Sequence, residues 1–325
     1  MKKFDVVVVG ELNADLILRG LASFPEIGKE IIAEQMKLTM GSSSAILATN
    51  IARLGLQVGF MGMIGHDTLG DLVLDTLINR GVDTSGIIIN DDVMTGITVV
   101  MSYPEDYAMV TYMGAMEKFS IKDVDFQYIF QGRHMHLSSY YLQPNLRAGC
   151  LELFKRCKEA GMSTSMDPGW DPDERWEHDI IDVLQYVDVF LPNEQEALNI
   201  SHKSNLNQAL EELNKHASII VVTQGSKGAL LKSKDMYIQT GTYSVKPVDT
   251  TGAGDSFNAG FLYQWLNGGN LDKCMIYGSA AGAIATTKMG GATASPNLNE
   301  LQEFIKKRKQ ENIIIQNASS PSRNN

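Results

Sequence analysis

The sequence has 325 residues, of which 44% are hydrophobic and 20% are charged, a composition typical of a globular protein. Its formal net charge of −10 argues against binding to nucleic acid, because no basic excess is available to neutralise phosphates. No segment is apolar enough to span a membrane or to act as a signal peptide, and the three cysteines show no disulfide or metal-site spacing. We therefore expect a cytoplasmic protein with no nucleic-acid or membrane partner.

The N-terminal part of the chain alternates between strand and helix patterns. The apolar, β-branched run Phe4–Val9 predicts a parallel strand that is covered on both faces. A helix is predicted over Ser42–Leu54, where Gly55 would end it, and another over residues 67–81. Residues 56–65 between them predict a strand and a glycine-rich turn.

Three segments with strand patterns interrupt this alternation, at residues 11–20, 31–40 and 95–113. The third resembles a β-hairpin that turns at residues 104–106. We expect the three segments to form one small sheet outside the main layer.

From about residue 120 the alternation of helices and strands is more regular. Helices are predicted at residues 144–160, 205–216, 254–267, 271–288 and 297–309, and strands at 162–167, 187–191 and 218–225. The polar segment 316–325 is expected to be a disordered tail. The whole pattern predicts one α/β domain over residues 1–315, with a largely parallel sheet between two layers of helices.

The predicted sheet also indicates where ligands should bind. In open α/β sheets, ligands lie beyond the carboxyl ends of the strands. This rule selects three places: the end of the first strand at Gly10, the strand ends at Asp167 and Leu191, and the loop before the helix at 254.

The segment 247–266 carries the strongest chemical signal. Gly252, Ala253 and Gly254 precede a predicted helix, and residues this small let consecutive backbone N–H groups point at an anion. Asp255 would repel a phosphate at this point unless it accepts the proton of an attacking hydroxyl. Ordinary capping of the helix by Asp and Gly is the alternative interpretation.

The string 249-DTTGAGD-255 resembles the C-terminal signature of the ribokinase-like (PfkB) carbohydrate kinases, and the resemblance extends from Val6 to about Pro296. It implies a three-layer ribokinase-like fold with a small β-sheet lid, and ATP-dependent transfer of the γ-phosphoryl group to a hydroxyl of a small sugar or sugar-like substrate. In that family the Gly-Ala-Gly turn forms an anion hole and the next residue is the general base. Gly252, Ala253 and Gly254 are then the expected anion hole, and Asp255 the expected base.

The resemblance also implies a magnesium ion and the residues that hold it. Asn193 and Glu196 match the family's Asn-x-x-Glu motif, so we expect Asn193 to contact the nucleotide and Glu196 to hold Mg²⁺ through water. A capping box is the other interpretation of this spacing, and the two are compatible. Some family members bind a monovalent cation near the residues that match Asp249 and Thr251, and this chain has the acceptor atoms there.

The run 223–230 resembles the family's glycine-containing loop near the nucleotide phosphates and ribose. Thr223, Gly225 and Gly228, together with Thr251, are the expected nucleotide contacts. A simple turn accounts for the two glycines of this loop equally well.

Asp15 follows the first strand in a Gly-x-x-x-x-Asp run that matches the family's substrate carboxylate, and Asn13 lies beside it. A carboxylate can accept hydrogen bonds from two vicinal hydroxyls, although a lone Asp here would more ordinarily be a turn residue. Gly41, Ser42 and Ser43 are further expected substrate contacts, but Ser42 replaces the family's second glycine. Ile46 stands where the family has an Asn, so the identity of the acceptor does not carry over.

Two further features concern the acceptor. Residues 95–114 contain no Lys or Arg, which favours an unphosphorylated acceptor, because a second phosphate would need cationic partners. His134 and His136 point to the same side of a strand, so both would contact ligand or both would be packed.

Alternative functions remain open within this fold. A nucleoside kinase would need aromatic stacking, for which Tyr103, Tyr107 and Tyr112 are available, whereas a catalytically silent sensor conflicts with an intact Asp255. The chain lacks both the GxGxxG turn of dinucleotide oxidoreductases and the GxxxxGK[ST] loop of P-loop kinases, which excludes those classes. Because related proteins pair through the lid and exposed strand edges favour being covered, we expect a homodimer.

Overall fold

A computed structural model describes residues 2–103, 107–234, 236–288, 290, 295–308 and 313–317. Its strands are β1 (Phe4–Val9), β2 (Asn13–Arg19), β3 (Gln35–Met40), β4 (Val58–Gly65), β5 (Asp83–Asn90), β6 (Gly96–Ser102), β7 (Tyr107–Tyr112), β8 (Gly132–Leu137), β9 (Ser163–Met166), β10 (Val189–Phe190), β11 (Ile219–Thr223), β12 (Ala229–Ser233), β13 (Met236–Thr240) and β14 (Ile313–Asn317). Its α-helices are α1 (Ser43–Arg53), α2 (Thr68–Asn79), α3 (Ala115–Lys118), α4 (Phe126–Ile129), α5 (Pro144–Arg147), α6 (Cys150–Glu159), α7 (Asp179–Leu184), α8 (Glu194–Ser201), α9 (Leu206–Leu213), α10 (Ala253–Leu266), α11 (Leu271–Ala285) and α12 (Leu298–Lys307). None of these helices is long and apolar enough to cross a bilayer.

The main sheet has ten strands in the order β14-β13-β12-β11-β10-β9-β8-β1-β4-β5. The seven strands from β11 to β5 are parallel, and β12, β13 and β14 extend the sheet in antiparallel fashion. β1 lies inside the parallel part, between β8 and β4. The parallel sheet predicted from the alternation of strands and helices is therefore confirmed.

Helices cover both faces of this sheet. On β1, Val6 and Val8 belong to one buried core and Val7 and Val9 to the other, and all four are fully buried. The first core contains side chains of α1, α2, α10 and α11, and the second contains side chains of α6, α7, α8 and α9. Successive residues of this strand thus enter two different cores, and neither face of the strand is exposed. This is the expected pattern for the middle layer of a three-layer α/β protein.

A separate sheet of four strands, in the order β3-β2-β6-β7, forms the lid. The pairing of β2 with β6 is parallel, and the other two pairings are antiparallel. The lid contains the three segments that were predicted to form a small sheet by insertion, so that prediction is confirmed. The predicted turn at 104–106 lies outside the described residues.

Several elements differ from the sequence predictions. β5 and the hairpin β12–β13 were not predicted, and β14 includes Gln316 and Asn317, which we had expected in the tail. Residues 318–325 of that expected tail lie outside the described residues. The predicted helix 144–160 is two helices, α5 and α6, and a Cβ at Gly149 between them would overlap the side chain of Ile121. The chain therefore bends at a glycine because another segment packs against it.

Candidate active site

The carboxyl ends of β1, β9 and β10 face a cavity of about 330 Å³, the acceptor cavity. The start of α1, the start of α10 and strands β2, β6 and β7 of the lid complete its walls. Most of the residues singled out from the sequence line this cavity: Asn13, Asp15, Ser42, Ser43, Asn193, Glu196, Thr223, Thr251, Gly252, Ala253, Gly254 and Asp255. The residues predicted to form a site beyond the strand ends therefore line one cavity, and their roles stay a prediction.

A second cavity of about 580 Å³, the nucleotide cavity, adjoins the first. The turn between β11 and β12 contributes Gly225 and Gly228, and the last turns of α11 contribute Gly282 and Ala283. The two cavities have several lining residues in common: Tyr107, Asn193, Thr223, Thr250, Ala253 and Gly254. Two ligands placed in the two cavities would therefore meet at the start of α10.

The start of α10 has no side-chain cap. Gly252 has a φ of 71°, in the left-handed region that favours glycine, and its carbonyl accepts the amide hydrogen of Ser256 at 3.0 Å. A Cβ added at Gly254 would have no atom of the described residues within 4 Å, so it would point into open space in this part of the structure. The capping alternative for Asp255 is not what the structure shows, and the exposed backbone of this turn suits an anion.

Asp255 lines the acceptor cavity and is 8% exposed. Burial raises the pKa of its carboxyl well above the usual range, and the nearby charges of Asp167, Glu11 and Asp15 raise that pKa further. A hydrogen bond from the side chain of Ser43 acts in the opposite direction. A carboxyl with a raised pKa is the kind of group that can take up a proton during a reaction.

Asn193 and Glu196 form a capping box at the start of α8, as one of the two interpretations expected. Burial raises the pKa of Glu196 to about 8, and the charges of Asp167 and Asp255 add to the shift. The same Asn-x-x-Glu box recurs at the start of α12, where Asn297 and Glu300 are away from both cavities. The motif by itself thus indicates a cap, and only its position at the cavity distinguishes the first box.

Asp15 and Asn13 of the lid strand β2 form a buried polar group with Thr98 of the adjacent lid strand β6. Nδ2 of Asn13 donates to Oδ1 of Asp15 at 3.0 Å and lies 3.2 Å from Oγ1 of Thr98. Burial raises the pKa of Asp15 to about 7. Gly41 is not among the lining residues, and a Cβ there would overlap the carboxyl of Asp15. Gly41 therefore leaves the space that the carboxyl of Asp15 occupies, and it does not line the cavity as we had expected.

Ser42 has the backbone of a glycine and a side chain that serves as a cap. Its φ is 68°, at the position where the resembling family has glycine. Its Oγ accepts the amide hydrogen of Ala45 at 2.9 Å and donates to the carbonyl of Glu11 at 2.6 Å. Ile46, one turn further along α1, lines the acceptor cavity. The departures from the family pattern therefore lie at the cavity wall.

Sequence reasoning missed Glu11. This residue is 3% exposed and lines the acceptor cavity. Its Oε1 accepts from the amide of Ser44 at 3.2 Å and from Oγ of Ser139 at 3.0 Å, and its Oε2 accepts from Oγ of Ser44. Burial raises the pKa of this carboxyl. The available signal was an acidic residue directly after a buried strand and its terminal glycine.

Asp167 was recognised only as a strand end, although its carboxyl lines the acceptor cavity. Its Oδ1 accepts from the amide of Gly169 at 3.0 Å, and its Oδ2 accepts from Nδ2 of Asn258 at 2.7 Å. Burial raises the pKa of Asp167 to about 7. Oδ1 of Asn258 has no hydrogen-bond partner among the described residues.

His134 and His136 are packed rather than exposed to ligand. Both are fully buried, and their ring nitrogens lie 2.7–2.9 Å from the hydroxyls of Ser163, Ser165 and Ser138. Burial lowers the pKa of His136 to about 3, so this ring is neutral at physiological pH. The packing alternative for these two residues agrees with the structure.

Among the described residues, no three His, Cys, Asp or Glu side chains lie close enough to hold a metal ion by themselves. A magnesium ion here would therefore take most of its ligands from phosphate oxygens and water, which is the usual mode for Mg²⁺. Asp249, beside which a monovalent cation was considered, accepts the amide hydrogens of Thr251 at 3.0 Å and Gly290 at 2.8 Å. Its carboxyl thus connects the loop before α10 to the segment that follows α11.

Comparison with known proteins identifies the family. Residues 3–298 match the family described as pfkB family carbohydrate kinase. An ATP-dependent ribose-1-phosphate kinase from Halopiger xanaduensis is 29% identical over 93% of this chain and 98% of its own length. A nucleoside kinase from Methanothermobacter thermautotrophicus is 27% identical over 91% of this chain and 94% of its own length.

A solved structure shows the same architecture. An E. coli protein described as a ribokinase II, in complex with ATP and Mg²⁺, matches with a TM-score of 0.82 at 23% identity, covering 94% of this chain and 99% of that one. The fold is therefore ribokinase-like, as the sequence predicted. The chain belongs to the pfkB family of carbohydrate kinases.

Proposed function

We propose that this carbohydrate kinase transfers the γ-phosphoryl group of ATP to a hydroxyl of a small, unphosphorylated, sugar-like substrate. The observation that carries the proposal is the meeting of two cavities at the uncapped start of α10, with Asp255 on the acceptor side. A kinase needs two substrates whose reacting atoms are in line and shielded from water. Adjoining cavities with a proton acceptor between them supply that arrangement.

Asp255 accepts the proton in this reaction. The acceptor oxygen attacks the γ-phosphorus, the bond from that phosphorus to the β,γ-bridging oxygen breaks, and ADP leaves. The proton of the attacking hydroxyl goes to the Asp255 carboxylate. Backbone N–H groups of Gly252, Ala253 and Gly254 stabilise the charge on the transferring group.

The nucleotide occupies the second cavity in this proposal. Thr223, Gly225 and Gly228 lie beside its phosphates and ribose, and the small residues Gly282 and Ala283 leave room for a flat base. Asn193 and Thr251 lie where the phosphates pass into the acceptor cavity. Glu196 is the residue that would hold Mg²⁺, and the bound ion would neutralise phosphate charge.

The acceptor binds through Asp15 and Asn13, two residues of the lid strand β2 that are hydrogen-bonded to each other and line the cavity. Neither Lys nor Arg lines the acceptor cavity in the part of the chain that the structure describes. An anionic group on the acceptor would therefore lack a cationic partner, which supports an unphosphorylated substrate. The relative named for ribose 1-phosphate takes an acceptor of a different charge.

A nucleoside is the second candidate acceptor, because two aromatic rings face the cavity. Trp170 lines the acceptor cavity with 43% of its surface exposed, and Tyr107 lines both cavities. A nucleobase could stack on either ring. Tyr103 and Tyr112, the other rings considered from the sequence, do not line either cavity.

The lid closes the site in this proposal and excludes water during transfer. Its strands supply Thr98, Val100, Met109 and Thr111 to the cavity, and Nη2 of Arg19 donates to the carbonyl of Val248 at 3.0 Å. The lid thus already contacts the loop that leads to α10.

We also propose that two chains pair through the lid. Met36 is 66% exposed and Val110 is 61% exposed on its strands, and such apolar surface is usually covered. Sedimentation showing only monomer at micromolar concentration would contradict this. We place the protein in the cytoplasm because the reaction uses the cellular ATP pool, and the monovalent cation near Asp249 stays a prediction.

The function is tested by measuring ATP consumption across free sugars, polyols, sugar acids, sugar phosphates and nucleosides. We expect one neutral or cationic class to be phosphorylated, with Asp255→Asn as the inactive control. A clear preference for a sugar phosphate would overturn the unphosphorylated acceptor, and nucleoside phosphorylation would favour the second candidate.

A further inference from the structure

Five carboxyl groups line the acceptor cavity, and the proposed chemistry uses only some of them. They belong to Glu11, Asp15, Asp167, Glu196 and Asp255. None of the five forms an ion pair with a Lys or Arg in the described part of the chain, and no His lines the cavity either. Buried carboxylates are normally paired or bound to a cation. The described lining of the cavity therefore supplies no positive charge to balance these carboxyls, and a cationic ligand could supply it.

The proposed reaction leaves two of these carboxyls, Glu11 and Asp167, without a role, and Glu11 has the more hydrogen-bond donors around it. Ser44 and Ser139 direct three hydrogen bonds at its two oxygens, and the amide of Ser44 can only donate. Donors aimed at both oxygens favour the ionised form, whereas burial opposes it. The negative charge of Glu11 also raises the pKa values of Asp15, Asp167 and Asp255, so these groups share one electrostatic environment.

Asn258 gives independent evidence that the cavity lacks a hydrogen-bond donor. It is 2% exposed, lines the acceptor cavity and donates from Nδ2 to Asp167. Its Oδ1 is buried and has no partner in the described structure. A buried acceptor without a donor costs free energy, so this oxygen suits a ligand N–H or O–H group.

Trp170 forms part of the wall of the same cavity. Its ring is held edge-on against Trp176 at 5.0 Å, and Trp176 packs in turn against Tyr141 at 5.3 Å. The indole face attracts cations more strongly than the other aromatic side chains. An indole held in place and carboxyls without ion pairs, in one cavity, are the kinds of group that bind ammonium ions.

We propose that the phosphoryl acceptor carries an ammonium group, as amino sugars and sugar amines do, and that Glu11, Asp167 and Asn258 receive its N–H groups. Asp15 is then left to bind hydroxyls of the same molecule, and Trp170 covers the ammonium group from the wall. A metal ion is the other cation to consider, but no three carboxyls of the described residues converge on one point. This inference rests on the proposed phosphoryl transfer and names the substrate class for it.

The test compares acceptors that differ in one substituent, which is an ammonium group, a hydroxyl or a neutral acetamido group: glucosamine with glucose and N-acetylglucosamine, galactosamine with its two counterparts, and 1-amino-1-deoxyfructose with fructose. Initial rates at neutral pH with ATP and Mg²⁺ give kcat/KM, and ³¹P spectra identify the product. We expect at least one amine to exceed its neutral parent by about 10- to 100-fold, the range of a hydrogen bond to a charged group. N-acetylation should abolish that advantage.

Two variants separate recognition from general damage. Glu11→Gln keeps the size and most of the hydrogen bonds of the side chain, and should lower the amine-to-parent ratio of kcat/KM by about 10-fold. Trp170→Leu should lower the same ratio without disturbing Glu11. The matched control is Glu117→Gln, an exposed carboxyl outside both cavities, which should leave the ratio unchanged.

The inference is overturned if every neutral parent is used as well as its amine, or if an anionic acceptor is preferred, and in both cases the kinase proposal survives. If no acceptor is phosphorylated, calorimetric binding of the same pairs without ATP decides the point. Tighter binding of the amines then supports the ammonium site while the proposed transfer fails. Equal or absent binding overturns the site as well.

Discussion

Asn193 and Glu196 cap α8 reciprocally at the boundary between the two cavities. Oδ1 of Asn193 accepts the amide hydrogen of Glu196 at 3.0 Å, and Oε2 of Glu196 accepts the amide hydrogen of Asn193 at 2.8 Å. Asn297 and Glu300 repeat this geometry at α12, with distances of 2.9 and 2.8 Å. The chain therefore contains one box at the site and an equivalent box on the surface, which can be compared by mutation.

Glu196→Gln should weaken magnesium binding without unfolding α8. A glutamine oxygen can still accept the amide hydrogen of Asn193, so the cap remains while the negative charge is lost. We expect the Mg²⁺ concentration for half-maximal activity to rise by about 10- to 100-fold, with little change in Tm. Titration of activity with Mg²⁺ and thermal unfolding measure the two effects.

Glu300→Gln is the control, because it makes the same change in an equivalent box away from both cavities. It should leave the Mg²⁺ requirement as it is. If the two variants behave alike, Glu196 is a structural cap and has no part in holding the metal.

Gly254→Ala should lower the activity without lowering the stability of the fold. A Cβ at this position meets no protein atom within 4 Å, so the fold accommodates it, and alanine in a helix is more stable than glycine by about 0.5–1 kcal/mol. If the proposed anion hole is right, the new methyl group would occupy space that the transferring phosphoryl group needs. We expect kcat/KM to fall by about 100-fold while the free energy of unfolding rises or stays level. Unchanged turnover would remove Gly254 from the anion hole.

Stability should decrease as the pH rises from about 6.5 to about 8. Burial raises the pKa of Asp15 and Asp167 to about 7 and that of Glu196 to about 8, so the folded chain binds protons that the unfolded chain has lost. The stability from a raised pKa is fully present below the unfolded value and is lost as the pH passes the folded one. Each such carboxyl contributes a slope of up to about 1.4 kcal/mol per pH unit.

Urea unfolding across this pH window measures the slope, and Asp167→Asn should make it shallower. The window excludes the buried His134 and His136, because their pKa values are lowered and they act only below the ordinary histidine value of about 6.5. A free energy of unfolding that is flat or increases between these pH values would contradict the raised carboxyl pKa values.

The order of layers could be predicted from the sequence because strands and helices bury their residues with different periods. Fully buried strands such as β1 leave a continuous apolar run, which is visible without a structure. β5 has only one buried residue and lies at the sheet edge, so its pattern was weaker. The interruption between α5 and α6 depends on contact with Ile121, which no local pattern shows.

Some residues of the candidate site could also be predicted from local sequence, whereas others depend on contacts between distant segments. Gly252–Asp255 and the Asn193–Glu196 box are local strings, and local strings can be read from a sequence. Glu11 became recognisable only when Ser44 and Ser139, which come from two other parts of the chain, were seen to surround it. Gly41 was assigned to substrate contact because its true neighbour, the carboxyl of Asp15, becomes adjacent only through the pairing of β2 with β3.

Asp255 is the residue on which the account depends most, and the rate of ATP-dependent phosphoryl transfer by Asp255→Asn tests it most directly. With saturating ATP, Mg²⁺ and the best acceptor of the panel, we expect kcat to fall by about 10²- to 10⁴-fold, the usual loss for a positioned base. Binding of ATP and the Tm should be kept, because asparagine has the same shape and avoids a buried charge. Turnover comparable to that of the unmodified protein would contradict the role of Asp255 as base.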